Sequence, residues 1–400
     1  MRVSGKGLIN RETVLNFKFN GQPFQGFAGD TLASALLAND QRLVARSFKY
    51  HRPRGIMTAG SEEPNALVTI YRSGSREPNT RATVQPLYEG LVAQPQNAWP
   101  SLKFDALGVN DFLSPFLAAG FYYKTFMWPR AFWERVYEPF IRHAAGLGAL
   151  AVAYDHDLYE KAYAHCDVLI IGAGPSGLMA ALAAARAGLD VILADENDRV
   201  GGRLLSEVEE VGSVAGHIWA EGIGAELVGL ANVKVMTNST VTGAYDQGTY
   251  GALERVGHHL DAAPKGLPLE TFWRITAKRT ILCAGALERQ IAFKDNDRPG
   301  IMTASGMRSY LNRYGVSPGQ KIAIFGNNSD AHRTARDFSN AGVDVVAMID
   351  SRSGVLAQGD YPVYAGTHVV GTSGRLGLRS ITIRQDGALN TIECDALGVS

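Results

Sequence analysis

Asp167-Val168-Leu169-Ile170-Ile171-Gly172-Ala173-Gly174-Pro175-Ser176-Gly177 is the stretch on which the reading of this chain turns. Five residues of buried-strand character run into a glycine turn, and Leu178 to Ala187 follow as a strong helix. Each glycine has a distinct task. Gly172 makes the tight turn, Gly174 lets a pyrophosphate approach the backbone, and Gly177 lets helix and strand pack closely. The helix N-terminus then offers unpaired N–H groups and a partial positive charge to that pyrophosphate. Asp190 to Ala194 form the next strand, and Asp195 stands at its end, where a carboxylate accepts hydrogen bonds from a ribose and repels a 2′-phosphate. Glu196 and the pair Gly201-Gly202 extend the pattern. Asp167 to Gly202 therefore reads as a βαβ unit holding the adenosine diphosphate half of a flavin or nicotinamide cofactor.

A second cycle begins at Lys321-Ile322-Ala323-Ile324-Phe325-Gly326 and ends at Val343 to Ile349. It keeps the first glycine but carries Asn328 and Ala331 in place of the other two, and a side chain at Asn328 would crowd a pyrophosphate. This half is expected to be Rossmann-like and empty. Two such cycles predict an α/β architecture with two dinucleotide domains. Between them, Thr280 to Ala286 read as a strand entering a small-residue turn at Gly285 that closes the first domain near the cofactor, with Cys283 an inert, buried thiol.

Upstream, Thr13 to Phe19 alternate like a half-buried strand, Asn20-Gly21 is a tight-turn signal, and Phe24 to Phe27 return as a second strand. Asp30 or Thr31 caps a helix carrying Leu32, Ala35, Leu36 and Leu37, and Ala66 to Tyr71 form another strand. This is a small α+β module. Residues 74–100, rich in Pro, Asn, Gln and Ser, are expected to run extended over the surface. Residues 112–143 are strongly aromatic; they read either as a helical hairpin burying its own rings or as a platform for a partner subunit. The domain plan is thus 1–85, a ferredoxin-like module; 86–165, an aromatic connector; 166–300, the first dinucleotide-binding domain; 301–375, the second; and 376–400, a return toward the first.

The remaining features mainly exclude. The chain has 400 residues with 39 Lys+Arg against 39 Asp+Glu, so no bulk charge draws it to nucleic acid or an anionic membrane. Its longest uncharged apolar run, Ala144 to Tyr154, is too short to span a bilayer, and Met1 to Lys6 hold no signal core, which makes the cytoplasm the expected compartment. Three scattered cysteines argue against a disulfide framework or a Cys-rich metal site. His258-His259 lack ligands at metal spacing. Lys49-Tyr50-His51-Arg52-Pro53-Arg54-Gly55 is a basic loop, either a solvated turn or a contact to a phosphate or an acidic partner. No catalytic residue is expected among these 400.

Several longer blocks resemble one family. Ser47 to Ile56, Phe121 to Pro129, Asp167 to Gly202, Gly285-Ala286-Leu287-Glu288-Arg289, Asp297 to Met302 and Tyr310 to Val316 are similar to the alpha subunits of heterotetrameric sarcosine oxidase, over essentially the whole chain. Subunits of opine and hydroxyproline dehydrogenases and of hydrogen cyanide synthase share the architecture less closely. The resemblance implies a complex with beta, gamma and delta subunits that oxidises sarcosine with O2 and tetrahydrofolate to glycine, H2O2 and 5,10-methylenetetrahydrofolate. It implies FAD in the beta subunit, FMN at the interface with that subunit, and an alpha subunit of disulfide-reductase-like, two-dinucleotide-domain Rossmann flavoprotein fold that holds a tightly bound NAD. By the same resemblance the NAD contacts are Ser176 near the pyrophosphate, Asp195, Glu196 and Asn197 around the ribose, Arg203 after the glycine pair, and Val241. Alternatives left open are a subunit of a related amine dehydrogenase, or a nucleotide-holding scaffold without catalysis. The N-terminal module resembles the [2Fe–2S] domains of the related dehydrogenases, but residues 1–165 hold no cysteine and a cluster needs four thiolates. Because the chain stops at Asp395 to Ser400, it is expected to be the N-terminal piece of a longer subunit, without that subunit's folate-binding domain.

Overall fold

The computed structural model describes the whole chain except residues 73–74, 118, 122–125, 146–150, 153 and 356–358. It divides into two compact units: residues 1–154 with 288–400, and residues 155–287.

The first unit opens with the expected hairpin. Asn10–Phe19 turns through Asn20 and Gly21 into the antiparallel strand Gln22–Ala28. Both turn residues have positive φ, 51° and 75°, the combination that favours Asn-Gly in a two-residue hairpin. Thr31 caps the helix Leu32–Ala38 by accepting from the Ser34 N–H, and Ser34 Oγ accepts in return from the Thr31 N–H. The described part of residues 74–100 is not one extended surface run as expected, for much of it is built into a sheet. Val92–Pro95 is the middle strand of a five-stranded sheet, parallel to Asn10–Phe19 and antiparallel to Leu67–Arg72, with Ser75–Arg81 at the far edge. Leu87, Tyr88, Leu91 and Ala93 are buried under it. The module therefore extends to about residue 98 rather than ending at 85.

The aromatic connector departs from the hairpin reading as well. Its described residues form short helical turns and one eight-residue helix, Glu138–Ala145, too little to make two facing helices. Phe112 is 87% exposed and Trp128 82%. Part of the aromatic block, residues 122–125, and much of the run from Ala144 to Tyr154 lie outside the described residues.

Residues 288–400 complete the first unit with a five-stranded parallel sheet in the order Ile301–Thr303, Ala396–Val399, Lys321–Gly326, Asp344–Asp350, Val363–Ala365. Helices Ala304–Asn312 and Ser329–Asn340 cover it. An antiparallel meander, His368–Ser373, Ser380–Gln385 and Ala388–Glu393, precedes the last strand. Residues 376–400 thus do not return to the first dinucleotide domain: Ala396–Val399 lies between Ile301–Thr303 and Lys321–Gly326 in the second domain's own sheet, where its four buried residues pair with both neighbours.

One hydrophobic core runs through both parts of this unit, joining Phe17, Phe19, Leu36 and Ile70 of the module to Tyr310, Leu311, Ile324 and Phe338. Polar bonds tie them too. The Leu8 N–H donates to the Arg313 carbonyl at 2.7 Å, and the Tyr310 hydroxyl, fully buried, donates to the Thr58 carbonyl at 2.8 Å.

The second unit is built on a six-stranded sheet in the order Val233–Met236, Val191–Ala194, Tyr159–Ile171, Glu270–Leu282, Thr249–Arg255, Ser239–Tyr245. The first four strands are parallel and the last three form an antiparallel meander. Helices Pro175–Arg186 and Gly216–Val228 pack on one face through Leu178, Ala181, Leu182, Ala220 and Leu227. The parallel half is a Rossmann-type βαβ arrangement, in which ligands bind at the C-terminal ends of the parallel strands.

Candidate dinucleotide-binding site

The glycine loop sits where that pattern requires. Gly172 ends the strand Tyr159–Ile171 with φ +101°, a left-handed conformation that side chains resist, and any Cβ there would strike the Cys283 carbonyl. A Cβ on Gly177 would be driven into the Gly172 carbonyl oxygen, so the third glycine permits the helix to pack against the turn. Gly174, in contrast, has open space around its Cβ position. It is the N-cap of Pro175–Arg186, and the first helical bond runs from the Leu178 N–H to its carbonyl at 2.9 Å. Pro175 has no N–H, which leaves the Ser176 and Gly177 amides at the helix end without intrahelical partners. An open, positively polarised N-terminus beside an unobstructed Gly174 is an anion cradle.

Asp195 is buried and does more than face a ribose. Its Oδ2 accepts from the Ala173 N–H at 2.6 Å, and its Oδ1 accepts from the Asn197 N–H at 2.8 Å and from the Asn197 side-chain amide at 3.0 Å. The carboxylate therefore staples the glycine loop to the end of the second strand. Two oxygens offer about four acceptor sites, so the same group retains capacity for a ligand hydroxyl. The following turn closes against the loop from below: Gly202, at φ +52°, lies so near Gly174 that a Cβ would come within 2.9 Å of the Gly174 Cα. Gly201 is also left-handed, with φ +126°.

The structure thus gathers Gly172, Gly174, Pro175, Ser176, Gly177, Asp195, Asn197, Gly201 and Gly202 at one strand–helix junction. Glu196 adjoins them, with its carbonyl accepting from Arg255 at 2.7 Å. Arg203 forms an ion pair with Glu207 along its own helical turn. Val241 is paired with Ala252 in the meander and packs against the core beneath the sheet, and Gly285, at φ +69°, follows Glu270–Leu282 in the turn that Cys283 begins.

The second cycle looks different at the same place. Asn328 caps Ser329–Asn340, its Oδ1 accepting from the Asp330 and Ala331 N–H groups at 3.0 and 3.1 Å. Those are the amides a phosphate would need. Asp350, at the end of the second strand of this cycle, is fully buried and bound by His332 Nε2 at 2.8 Å and by the Arg352 guanidinium at 2.8 Å. Burial alone would push its carboxyl up, but the Arg352 and His332 hydrogen bonds outweigh that and hold it below the usual carboxylate range.

The basic loop is neutralised by carboxylates. His51 Nδ1 meets Asp105 at 2.7 Å, Arg52 Nε donates to Asp111 at 2.7 Å, and Arg54 pairs with Asp297. Lys49 lies over the Tyr50 and Phe121 rings. These contacts make the loop a strut, which weakens the case for a phosphate contact. Among the described residues, no group of three or more His, Cys, Asp or Glu side chains converges on a metal site, and no helix is long and apolar enough to cross a membrane. All three cysteines are free, and burial pushes the Cys166 and Cys394 thiols up to about 11 and about 12.

Comparison with known proteins agrees with this geometry. Residues 12–98 match a 2Fe–2S iron–sulfur cluster binding domain, and residues 167–257 match the FAD dependent oxidoreductase family. The full length of the chain is 52% identical to a sarcosine oxidase subunit alpha of Rhizobium meliloti, of which it covers 41%. A sarcosine oxidase subunit alpha of a Corynebacterium is 35% identical over 90% of the chain, which covers 33% of that protein. The chain resembles sarcosine oxidase alpha subunits along its whole length. It spans about two fifths or less of the length of these alpha subunits. The L-proline dehydrogenase of P. horikoshii has the same fold, with a TM-score of 0.63 at 19% identity over 99% of this chain and 61% of its own. The likeness to these alpha subunits and the matched domains support an oxidoreductase role, with a small ferredoxin-like module preceding a two-dinucleotide-domain flavoprotein fold.

Sequence reasoning missed two supports of this candidate site. Arg255 is half-buried against the Glu196 carbonyl, and burial lowers its basicity, with Glu196 and Asp198 pulling the other way. The Cys283 carbonyl is the wall that makes glycine obligatory at 172. Both depend on contacts between residues far apart in sequence, 59 apart in the first case, which no local motif announces.

Proposed function

We propose that this chain is the dinucleotide-holding part of a sarcosine oxidase alpha subunit, in a complex with beta, gamma and delta subunits. The complex oxidises sarcosine with O2 and tetrahydrofolate to glycine, H2O2 and 5,10-methylenetetrahydrofolate. The observation that carries the site assignment is the contrast between two helix N-termini: the one at Gly174 is open, and the one at Asn328 is filled by its own side chain. One dinucleotide is therefore expected per chain, in the first domain.

That dinucleotide is NAD in this reading, retained without turnover, while FMN lies at the interface with the beta subunit and FAD within it. In the chain itself, the Ser176 and Gly177 amides hold the pyrophosphate against the helix end, with Gly174 and Pro175 leaving room for it. Asp195, Glu196 and Asn197 surround the ribose, and the Asp195 charge disfavours a 2′-phosphate. Gly201 and Gly202 bring the backbone beneath the ligand. Arg203, Val241 and Gly285 line its outer reaches, with Arg203 exchanging Glu207 for the ligand. No residue here touches the amine substrate.

Releasing the ligand from the purified intact protein and identifying it by mass tests the reading. NAD at about one per chain is expected, and FAD recovered without NAD would overturn it. Assaying the complex with sarcosine against proline, hydroxyproline and opines separates sarcosine oxidase from the related dehydrogenases.

A further inference from the structure

The N-terminal module matches a cluster-binding domain yet has no thiolate to bind one, and the structure shows what fills the space. Plant-type [2Fe–2S] modules place their first three cysteines at the spacing C-x4-C-x2-C, with a fourth farther on. In the segment leading into the strand Leu67–Arg72, that spacing falls on Thr58, Glu63 and Ala66, and Thr83 is the matching buried position farther along. All four are 3% exposed or less.

Glu63 sits at the centre of this loop. Its Oε2 accepts from the Met57 N–H at 2.8 Å, the Thr58 N–H at 2.7 Å and the Thr58 hydroxyl at 3.2 Å. Its Oε1 accepts from the Asn65 N–H at 2.8 Å and the Ala66 N–H at 3.0 Å. Five donors converge on two oxygens, which suits a carboxylate and not a carboxylic acid, whose own O–H would need an acceptor. The Thr83 hydroxyl closes the ring by donating to the Gly60 carbonyl at 2.7 Å. Loops whose successive N–H groups point inward are anion-binding concavities, and iron–sulfur clusters are among the anions they hold.

The donor set does not fit a cluster: two hydroxyls, a carboxylate and a methyl group stand where four sulfurs are required. We propose that Glu63 is a built-in anion occupying the N–H nest of a dormant [2Fe–2S] site, and that Thr58, Glu63, Ala66 and Thr83 mark the four former ligand positions. The nest is retained because the carboxylate closes it from within, turning a cofactor loop into a structural lock.

Two variants of the complete protein test this. Glu63→Ala empties the nest, so its Tm is expected to fall by about 5 °C or more and to recover with added formate, a free carboxylate of the right size, while the native protein shows no formate response. The quadruple variant Thr58→Cys, Glu63→Cys, Ala66→Cys, Thr83→Cys, reconstituted anaerobically with ferric iron and sulfide, is expected to bind about two irons and to show visible charge-transfer bands and a paramagnetic signal on one-electron reduction. The triple-cysteine control that keeps Glu63 is expected to bind none. A Glu63→Ala protein melting with the native one, or a folded quadruple variant holding no more iron than the control, would overturn the proposal. Failure of both variants to fold, with formate or with iron and sulfide present, also counts against it, since each supplies the anion the nest requires.

Discussion

Asn328 and Ser400, 72 residues apart in sequence, are joined by a hydrogen bond of 2.9 Å from the Asn328 side-chain amide to the Ser400 hydroxyl. The other end of the same amide caps Ser329–Asn340. One side chain therefore closes the second phosphate position and ties the last strand, Ala396–Val399, to the turn it lies beside. The second dinucleotide domain is sealed by its own polypeptide.

It follows that Asn328→Ala changes stability and not ligand content. Loss of the cap is expected to cost about 1 kcal/mol, read by denaturant unfolding, with bound nucleotide unchanged on extraction. A second equivalent of nucleotide in the variant would contradict the closed-site reading.

Gly174 and Gly177 are expected to fail differently when changed to Ala. Gly177→Ala forces a methyl group into the Gly172 carbonyl, so it is expected to lose about 1–3 kcal/mol from overpacking together with the nucleotide. Gly174→Ala meets open space at an ordinary φ of −69°, so stability is expected to stay within about 0.5 kcal/mol while nucleotide retention falls. Thermal melting and nucleotide extraction on the same samples distinguish the two; retained nucleotide in a stable Gly174→Ala protein would move the pyrophosphate elsewhere.

Asp195→Asn tests the staple. The substitution turns an NH2 group toward either the Ala173 or the Asn197 N–H, leaving a buried donor without an acceptor, at an expected cost of about 1–3 kcal/mol. Nucleotide affinity is expected to drop with it. An unchanged melting temperature would show that the carboxylate acts on the ligand alone.

Asp350 sets an acid limit. Its folded-state pKa lies below the ordinary value of 3.8, so its contribution is fully present above that value and is lost as pH falls through the depressed pKa. Stability measured between neutrality and strong acid is expected to fall at the acid end, and Asp350→Asn is expected to flatten that limb while lowering stability at neutral pH. An acid limb of the same steepness in the variant would assign it to other carboxylates.

Much of the first domain was legible because its constraints are local. Gly172, Gly174 and Gly177 each answer a steric demand within a few residues, and Asn20-Gly21 and Thr31 announce a turn and a cap in the same way. What escaped was non-local. Val92–Pro95 has only four residues and earns its central place by pairing with strands that begin near residues 10 and 67. Ala396–Val399 is likewise decided by distant partners rather than by its own pattern. Asp195 was visible as an acidic residue at a strand end, but its grip on the Ala173 amide depends on how two strands register. Glu63 lay inside a polar run, Ser61-Glu62-Glu63-Pro64-Asn65, that reads as an ordinary exposed loop until its burial is known.

The core shared by the N-terminal module and the second dinucleotide domain bears on how such proteins lose parts. Cutting the chain near residue 100 would bare Tyr310, Ile324 and Phe338, and would leave the Leu8 and Tyr310 bonds without their partners. A cluster-type module that holds no thiolate is still indispensable as a wall of its neighbour. Selection on folding alone is then enough to keep nearly a hundred residues in place.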